Sequence, residues 1–150
     1  MKKTIFIFLI FLFSSSCGYQ PLISKNANFS LKLIKLEGNT QVNYIIKNRL
    51  KIYEEGNKNT FNLEIIDSKI NKITTSMDTK GNPKTFQLTI DLKIKLKNNS
   101  DLTFQEKNFI STTNYNTISS KFDLKKYEDN LIKNISEKIS DEIILYIQSL

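Results

Sequence analysis

The chain has 150 residues, a formal net charge of +7, one cysteine and no histidine. These numbers exclude a serine–histidine hydrolase, and they remove the commonest metal ligands and the commonest general base. Four glycines in the whole chain also leave no room for a glycine-rich phosphate loop.

The first residues have the layout of a secretory signal. Two lysines at the start are followed by nine unbroken apolar residues, 5–13, and then by three serines and the only cysteine, Cys17. Nine apolar residues in a helix reach ~14 Å, about half of the ~30 Å hydrocarbon layer, which is too short to span it. We predict that residues 1–16 are a lipoprotein signal peptide that is removed by cleavage before Cys17.

Cys17 is then the predicted site of lipid attachment. The alternative is an ordinary thiol near an ordinary cleavage site, and Ser14 stands where an apolar residue is usual. A single cysteine in an exported protein cannot form an intramolecular disulfide, however, and acylation gives it a role. Stable anchoring needs more than one acyl chain, as bacterial lipoproteins have. Gly18 replaces the aspartate associated with inner-membrane retention, so we predict the outer membrane.

The basic balance has two interpretations. Lys2 and Lys3 leave with the predicted signal and no acid leaves with them, so the mature chain keeps a net charge of +5. Arg49 is the only arginine in a chain crowded with lysine, asparagine and isoleucine, a composition that an AT-rich genome produces without selection on charge. The other interpretation is functional, because an exported lipoprotein meets anionic lipid head groups and not nucleic acid.

A strand and a helix begin the folded part. Residues 29–36 place apolar side chains on both faces, which predicts a strand buried on more than one side. Asn39 or Thr40 caps a helix whose apolar residues follow three- and four-residue spacing, and Gly56 ends it.

A long strand follows the helix. Residues 61–77 alternate with a period of two, and the phase slips near Asp67 and again after Ile70, as one or two bulges would produce. The segment 78–83 has the chemistry of a turn and predicts a hairpin.

The third and fourth strands complete a meander. Residues 85–97 alternate without interruption between apolar and polar side chains, so one face of this strand is core and the other is wet. A second turn at 98–101 leads to a strand over 102–113, whose alternation slips around Lys107.

An amphipathic helix closes the chain. Ser120, with Asp123 three residues later, resembles a capping box, and the helix is predicted from about residue 122 to residue 148. The order β-α-β-β-β-α predicts an α+β fold, a two-layer sandwich of two helices on a four-stranded, mostly antiparallel sheet. We assign residues 17–28 to a lipidated linker and residues 29–150 to this single domain.

The acidic residues are scattered along the strands and the last helix, where they stand beside lysines. Solvated face charges and i,i+4 pairs account for them, and no two are shown to converge as a two-carboxylate glycosidase requires. We therefore predict that the protein is not an enzyme and has no catalytic residue, no metal site and no cofactor.

The lysines are the candidates for ligand binding. Two flank the first hairpin, two share the wet face of the third strand, and one precedes the last helix: Lys80, Lys84, Lys93, Lys95 and Lys121. Lysines at this spacing can hold the phosphates of a glycolipid by charge-assisted hydrogen bonds. The alternative for each of them is a solubilising surface charge.

Several segments together resemble a known family. They are Cys17-Gly18-Tyr19-Gln20-Pro21-Leu22, Ile46-Lys47-Asn48-Arg49-Leu50, Asn114-Tyr115-Asn116 and Tyr127-Glu128. In this order and spacing along the mature chain, they look like the lipopolysaccharide-assembly lipoprotein LptE, particularly its short alphaproteobacterial forms. The segment that starts at Cys17 is the most telling of them.

The resemblance covers the mature chain in the family's order of elements and implies a domain of two helices packed on a four-stranded sheet. It implies a non-enzymatic lipoprotein that is inserted as a plug in the large β-barrel LptD at the outer membrane. It implies a role in barrel assembly and in the movement of lipopolysaccharide to the outer leaflet. Lys80 and Lys121 sit about where relatives place basic contacts to the glycolipid. The chain departs from the pattern in its short length, and in having lysine where arginine would bind phosphate in bidentate fashion.

A rival hypothesis rests on the lysine-lined sheet face alone. It is a free-standing envelope lipoprotein, facing the periplasm, that binds an anionic glycolipid or another envelope partner without any barrel.

Overall fold

A computed structural model describes residues 28–54, 59–99 and 103–150. The predicted signal peptide, Cys17 and nearly all of the predicted linker lie outside the described residues. The described elements are, in chain order, β1 (Ser30–Leu36), α1 (Thr40–Leu50), a 3₁₀ turn (Lys51–Tyr53), β2 (Thr60–Met77), β3 (Pro83–Asn98), β4 (Phe104–Asn116) and α2 (Lys121–Gln148). The predicted order β-α-β-β-β-α and the α+β class are confirmed.

The strands form one mixed sheet in the order β1-β2-β3-β4. β1 runs parallel to β2, whereas the β2–β3 and β3–β4 pairs are antiparallel. A parallel pair needs a crossover connection, and α1 provides it. α1 contacts β1 and β2, α2 contacts β3 and β4, and the helices contact each other. Both helices therefore cover the same face of the sheet.

The core lies between the helices and the sheet. β3 supplies its centre, because the even-numbered residues of 86–96 are all buried. Val42 and Ile46 of α1, together with Ile139 and Ile143 of α2, are completely buried against this face. Each such side chain contributes about 1.5–3 kcal/mol of hydrophobic stabilisation, so the alternation in β3 determines which face the helices cover.

β1 differs from its prediction. The strand was expected to be buried on more than one side, but Ile34 is 52 % exposed and Leu36 is also exposed. β1 lies at the edge of the sheet, and its register with β2 shifts between Leu33 and Lys35. A bulge at Ile34 therefore leaves this residue unpaired. The prediction was wrong because apolar content does not distinguish an edge strand from a central one.

β2 contains the predicted bulge near Asp67. Its register with β3 shifts between Ile65 and Asp67, which exchanges the faces of the residues that follow. The second slip was predicted directly after Ile70, but the further shifts lie between Thr74 and Met77.

β4 has no slip, so the slip predicted around Lys107 is wrong. Its pairing with β3 is continuous from Phe104 to Asn116. Tyr146 of α2 covers two polar residues of β4: its hydroxyl donates to Gln105 Oε1 at 2.9 Å, and Lys107 Nζ lies 5.4 Å from its ring centre. Because polar side chains occupy these core-side positions, the sequence does not alternate between apolar and polar residues there, although the strand is regular.

Both helices begin at predicted caps. Asn39 Oδ1 accepts two backbone N–H groups of the first turn of α1, at 3.0 and 3.1 Å, and Ser120 Oγ accepts the N–H of Asp123 at 3.3 Å. α1 ends at Leu50, before the predicted Gly56, which lies outside the described residues. Neither helix combines the length and apolar character needed to cross a membrane.

Gly38 joins β1 to α1 at a point where the chain passes close to the backbone of β2. Its φ is +95°, and a Cβ atom there would lie 2.3 Å from the backbone nitrogen of Ser68. Ser68 Oγ accepts the N–H of Asn39 at 2.7 Å and donates to Asn43 Oδ1 at 2.8 Å. Asn43 Nδ2 in turn donates to the carbonyl of Glu37 at 2.9 Å. This network fixes the start of α1 on β2.

We expect Gly38→Ala to lower the free energy of unfolding by about 3 kcal/mol or more, because left-handed strain adds to a collision with the Ser68 backbone. Gly81→Ala is the matched control, since Gly81 has a φ of +84° with no atom in the way, and it should cost only about 1–2 kcal/mol. Urea unfolding followed by circular dichroism measures both. Equal losses would contradict the close approach.

Candidate functional site

The β2–β3 turn is held rigidly by its own side chains. The Asp78 carboxylate accepts the backbone N–H groups of Lys80 and Asn82, both at 2.8 Å, and Asn82 Nδ2 at 3.0 Å. The N–H of Gly81 donates to the carbonyl of Asp78 at 3.0 Å. These bonds, with the Asn82 side chain first, hold the pKa of the Asp78 carboxyl below its ordinary value. The turn therefore presents Lys80 from a fixed backbone.

Three of the five candidate lysines gather at this end of the domain. The backbone N–H of Thr117 donates to the carbonyl of Lys84 at 2.8 Å, which brings the approach to α2 alongside the start of β3. Lys121 is the first residue of α2. Lys80, Lys84 and Lys121 are exposed, and none forms an ion pair within the described residues. We call them the hairpin-end lysines.

Exposed apolar side chains stand beside the hairpin-end lysines. Phe122 is 77 % exposed, and Ile118 is also exposed. Phe122 was not among the residues predicted from the sequence to bind a ligand. The sequence nevertheless indicates its exposure, because Phe122 lies two residues before Leu124 and is therefore out of phase with the apolar stripe of the helix. A cationic and partly apolar end suits an amphiphilic anion better than a free inorganic ion.

Lys93 and Lys95 do not belong to this group. They lie farther along β3, on the sheet face that the helices leave uncovered, which we call the open face. Lys95 Nζ is 3.3 Å from Glu106 Oε1, and in the strand register Lys95 lies opposite Glu64 of β2. Lys93 stands opposite Asp67. The five candidates therefore do not form one site. Lys95 is paired with a carboxylate, whereas the Asp67 carboxylate opposite Lys93 pairs with Lys69.

The rest of the open face is polar but uncharged towards the hairpin end. Hydroxyl pairs link neighbouring strands there, with Thr89 and Thr112 oxygens 3.0 Å apart and Thr75 and Thr85 oxygens 2.7 Å apart. Ile110 of β4 is exposed among these polar residues. The open face thus carries little net attraction for a charged ligand and suits contact with another polar surface.

A polar cluster secures α2 over the hairpin end. Glu128 Oε1 accepts the Tyr115 hydroxyl at 2.7 Å and the Lys72 ammonium at 2.6 Å, and the Glu128 side chain is only 14 % exposed. Lys72 Nζ lies 4.2 Å from the ring centre of Phe86, and the Phe86 and Tyr115 rings stack at 5.4 Å. Burial, and then the bond to Glu128, raise the pKa of the Tyr115 phenol.

Glu128 was predicted from the sequence to be one of the solvated acids of the last helix, and this prediction was wrong. Its two partners lie 13 and 56 residues away along the chain, beyond any local pattern. The cluster joins α2 to β2 and β4, and so fixes the helix start from which Lys121 projects.

The chemistry available at the hairpin end is binding of anions. Each lysine offers three donors and a positive charge, which suit phosphate or carboxylate groups. In the described part of the chain, no group of three or more acidic or cysteine residues is arranged to hold a metal ion.

We expect Glu128→Ala to lower the free energy of unfolding by about 2 kcal/mol, because it leaves a buried phenol and an ammonium without their shared acceptor. Glu142→Ala removes a more exposed carboxylate 3.8 Å from Lys138 and should cost no more than about 0.5 kcal/mol. Thermal and urea unfolding of the two variants compares them. A loss at Glu128 as small as that at Glu142 would show that the cluster is not structural.

The sequence matches no protein-family model and no curated protein, but solved structures resemble it. Rare lipoprotein B from Shewanella oneidensis gives a TM-score of 0.62 at 13 % identity, covering 79 % of this chain and 95 % of that one. Lipoprotein B from Nitrosomonas europaea gives 0.56 at 12 %, covering 85 % and 89 %. A minor lipoprotein from Acinetobacter baumannii gives 0.50 at 11 %, covering 77 % and 92 %.

At these identities the likeness concerns the fold alone. It extends over most of this chain and over nearly all of each neighbour, so the shared unit is the domain as a whole and not one supersecondary motif. The chain has the fold of these bacterial lipoproteins.

Proposed function

We propose that the protein is a lipid-anchored outer-membrane lipoprotein that serves as plug and assembly factor of an LptD-type β-barrel in lipopolysaccharide transport. The observation that carries the proposal is the fold shared with solved bacterial lipoproteins over most of the chain. Its element order is the one that the resemblance to LptE implies.

The N-terminal sequence supports the anchor. A short apolar segment ends at three serines before Cys17, and removal of residues 1–16 leaves this cysteine to carry the lipid. The predicted linker, 17–28, then separates the lipid from a domain over 29–150.

The open face supports contact with a barrel. The interior of large outer-membrane barrels is polar, and a plug needs a surface that stays hydrated alone yet packs against such a wall. Hydroxyl pairs such as Thr89–Thr112 and neutralised charges such as Lys95–Glu106 give the open face this character. In this role Lys93 and Lys95 contribute to the wall contact and not to glycolipid binding.

The hairpin-end lysines support contact with lipopolysaccharide. Lys80, Lys84 and Lys121 have no carboxylate partner among the described residues, so their charge is available to phosphate groups. Phe122 beside them offers apolar surface to the same amphiphile.

The free-standing lipoprotein remains the second candidate, and the same lysines favour it, because they need no barrel to bind an anionic glycolipid. The two candidates differ in their partner.

Purification of the lipidated protein from outer membrane in mild detergent should bring a large β-barrel protein with it, since a plug is enclosed by its partner. A clean monomer under these conditions would favour the free-standing lipoprotein. Depletion of the protein should lower lipopolysaccharide at the cell surface, measured by surface labelling. Undiminished surface lipopolysaccharide would overturn the transport role.

Reversal of the three hairpin-end lysines to glutamate should weaken lipopolysaccharide binding at least tenfold, because three exposed contacts of about 0.5 kcal/mol each are lost. The matched control reverses Lys125, Lys133 and Lys138, which form i,i+4 pairs on α2, with the same change in net charge. Titration with purified lipopolysaccharide measures both triple variants. Equal weakening would show that only total charge matters.

A further inference from the structure

An open groove lies between β1 and α1, at the edge of the sheet opposite β4. Its volume is about 650 Å³, and its lining includes Ile34, Leu36, Tyr44, Lys47, Lys51 and Glu54. Tyr44 is 68 % exposed. We call it the β1–α1 groove. It is separate from the hairpin end, because β1 pairs only with residues 60–65 of β2, whereas the β2–β3 turn follows Met77.

The apolar floor of the groove is a direct result of the β1 bulge. The register shift between Leu33 and Lys35 leaves Ile34 and the neighbouring Leu36 outside the core, facing a groove that no described element covers. Tyr44 lies on the face of α1 away from Val42 and Ile46. Exposed apolar side chains that adjoin one another on a small domain mark a binding surface more than chance exposure does.

The rim of the groove is cationic. Lys47 and Lys51 line it from successive turns of α1 and the 3₁₀ turn, and neither has an ion pair within the described residues. Among the described residues that line it, Glu54 is the only acidic one. An apolar floor with a lysine rim is complementary to an anionic amphiphile, because the floor takes hydrocarbon and the rim takes phosphate.

We propose that the β1–α1 groove docks the domain on an anionic phospholipid surface. Tyr44 and Ile34 enter the head-group region, and Lys47 and Lys51 contact lipid phosphates. Tyrosine is enriched at membrane–water boundaries, whereas lysine is depleted in the cores of protein–protein interfaces, where arginine is preferred. The composition of the groove therefore favours a lipid surface over a second protein.

Because the lipid anchor holds the domain near the bilayer, a weak affinity of the groove for lipid is sufficient for docking. This step rests on the anchor in the proposed function. Ten residues separate Cys17 from Asn28, so the eleven steps between them span at most ~40 Å, and β1 begins two residues later. A lipid on Cys17 holds the groove within this distance of the bilayer, which raises its effective concentration there. Docking adds an orientation of the domain on the bilayer that this distance limit alone does not set.

The chain contains no tryptophan, so Tyr44→Trp places a single reporter in the groove. The lipidated protein is reconstituted in phosphatidylcholine vesicles with or without phosphatidylglycerol, and with brominated lipids as quenchers. We expect the emission from position 44 to shift to shorter wavelength and to be strongly quenched in the anionic vesicles. Phe104→Trp is the control, because Phe104 is 54 % exposed beside Lys97 on the opposite edge, and should stay unquenched.

The charged rim is tested in the Tyr44→Trp background. Lys47→Glu with Lys51→Glu should shift the docked-to-undocked ratio in anionic vesicles by roughly twentyfold. Lys133→Glu with Lys138→Glu makes the same charge change on α2 and should leave the ratio within about twofold. Circular dichroism confirms that every variant is folded, and mass spectrometry confirms the lipid on Cys17.

Equal quenching at positions 44 and 104, or none at position 44, would overturn the docking. A spectral change at position 44 that requires added barrel protein would overturn it too, by assigning the groove to a protein. The vesicles contain neither barrel nor lipopolysaccharide, so failure here leaves the transport role standing. A missing barrel in the co-purification likewise leaves the docking standing.

Discussion

The close approach of Gly38 to the backbone of Ser68 determines where α1 lies. Ser68 follows the bulge of β2, and its hydroxyl supports both the cap of α1 and the Asn43 side chain. A helix fixed at this point runs alongside α2, where Arg49 Nε meets Asp141 Oδ1 at 3.1 Å. The turn from β1 into α1, and with it the groove between these two elements, depends on this close approach, while the buried side chains of the core hold the rest of both helices on the sheet.

Lysine has several environments in the one domain, and three of them differ in the binding chemistry that they offer. On the open face, Lys95 forms an ion pair with Glu106, so its charge is neutralised within the sheet. At the hairpin end, Lys80 projects from a turn whose carboxylate is occupied by backbone N–H groups. In the groove, Lys47 borders apolar surface. Strand register and turn geometry assign these environments, so the overall basic composition says little about where an anion binds.

Local signals in the sequence were sufficient for much of the fold. The caps at Asn39 and Ser120, the bulge near Asp67 and the core face of β3 each depend on neighbouring residues, and all were predicted. The exposure of Ile34 was not predictable, because it follows from the edge position of β1 in the sheet. The two hydrogen bonds of Glu128 were not predictable either, since its partners come from two strands. The candidate lysines were identified by type and by element, but the meeting of Lys121 with Lys80 and Lys84 at one end of the domain required the register of β3 with β4.

β1 is both the edge strand and the element through which any N-terminal attachment enters the domain. Its six Cα pairs with β2, from Ser30 to Leu36, run parallel, so a pull along the strand loads them together, in shear, instead of opening them one at a time. The far end of β1 continues through Gly38 to the hydrogen bonds on Ser68. Tension from the N-terminus is thereby passed to β2 in the interior of the sheet, and not to a strand at its edge.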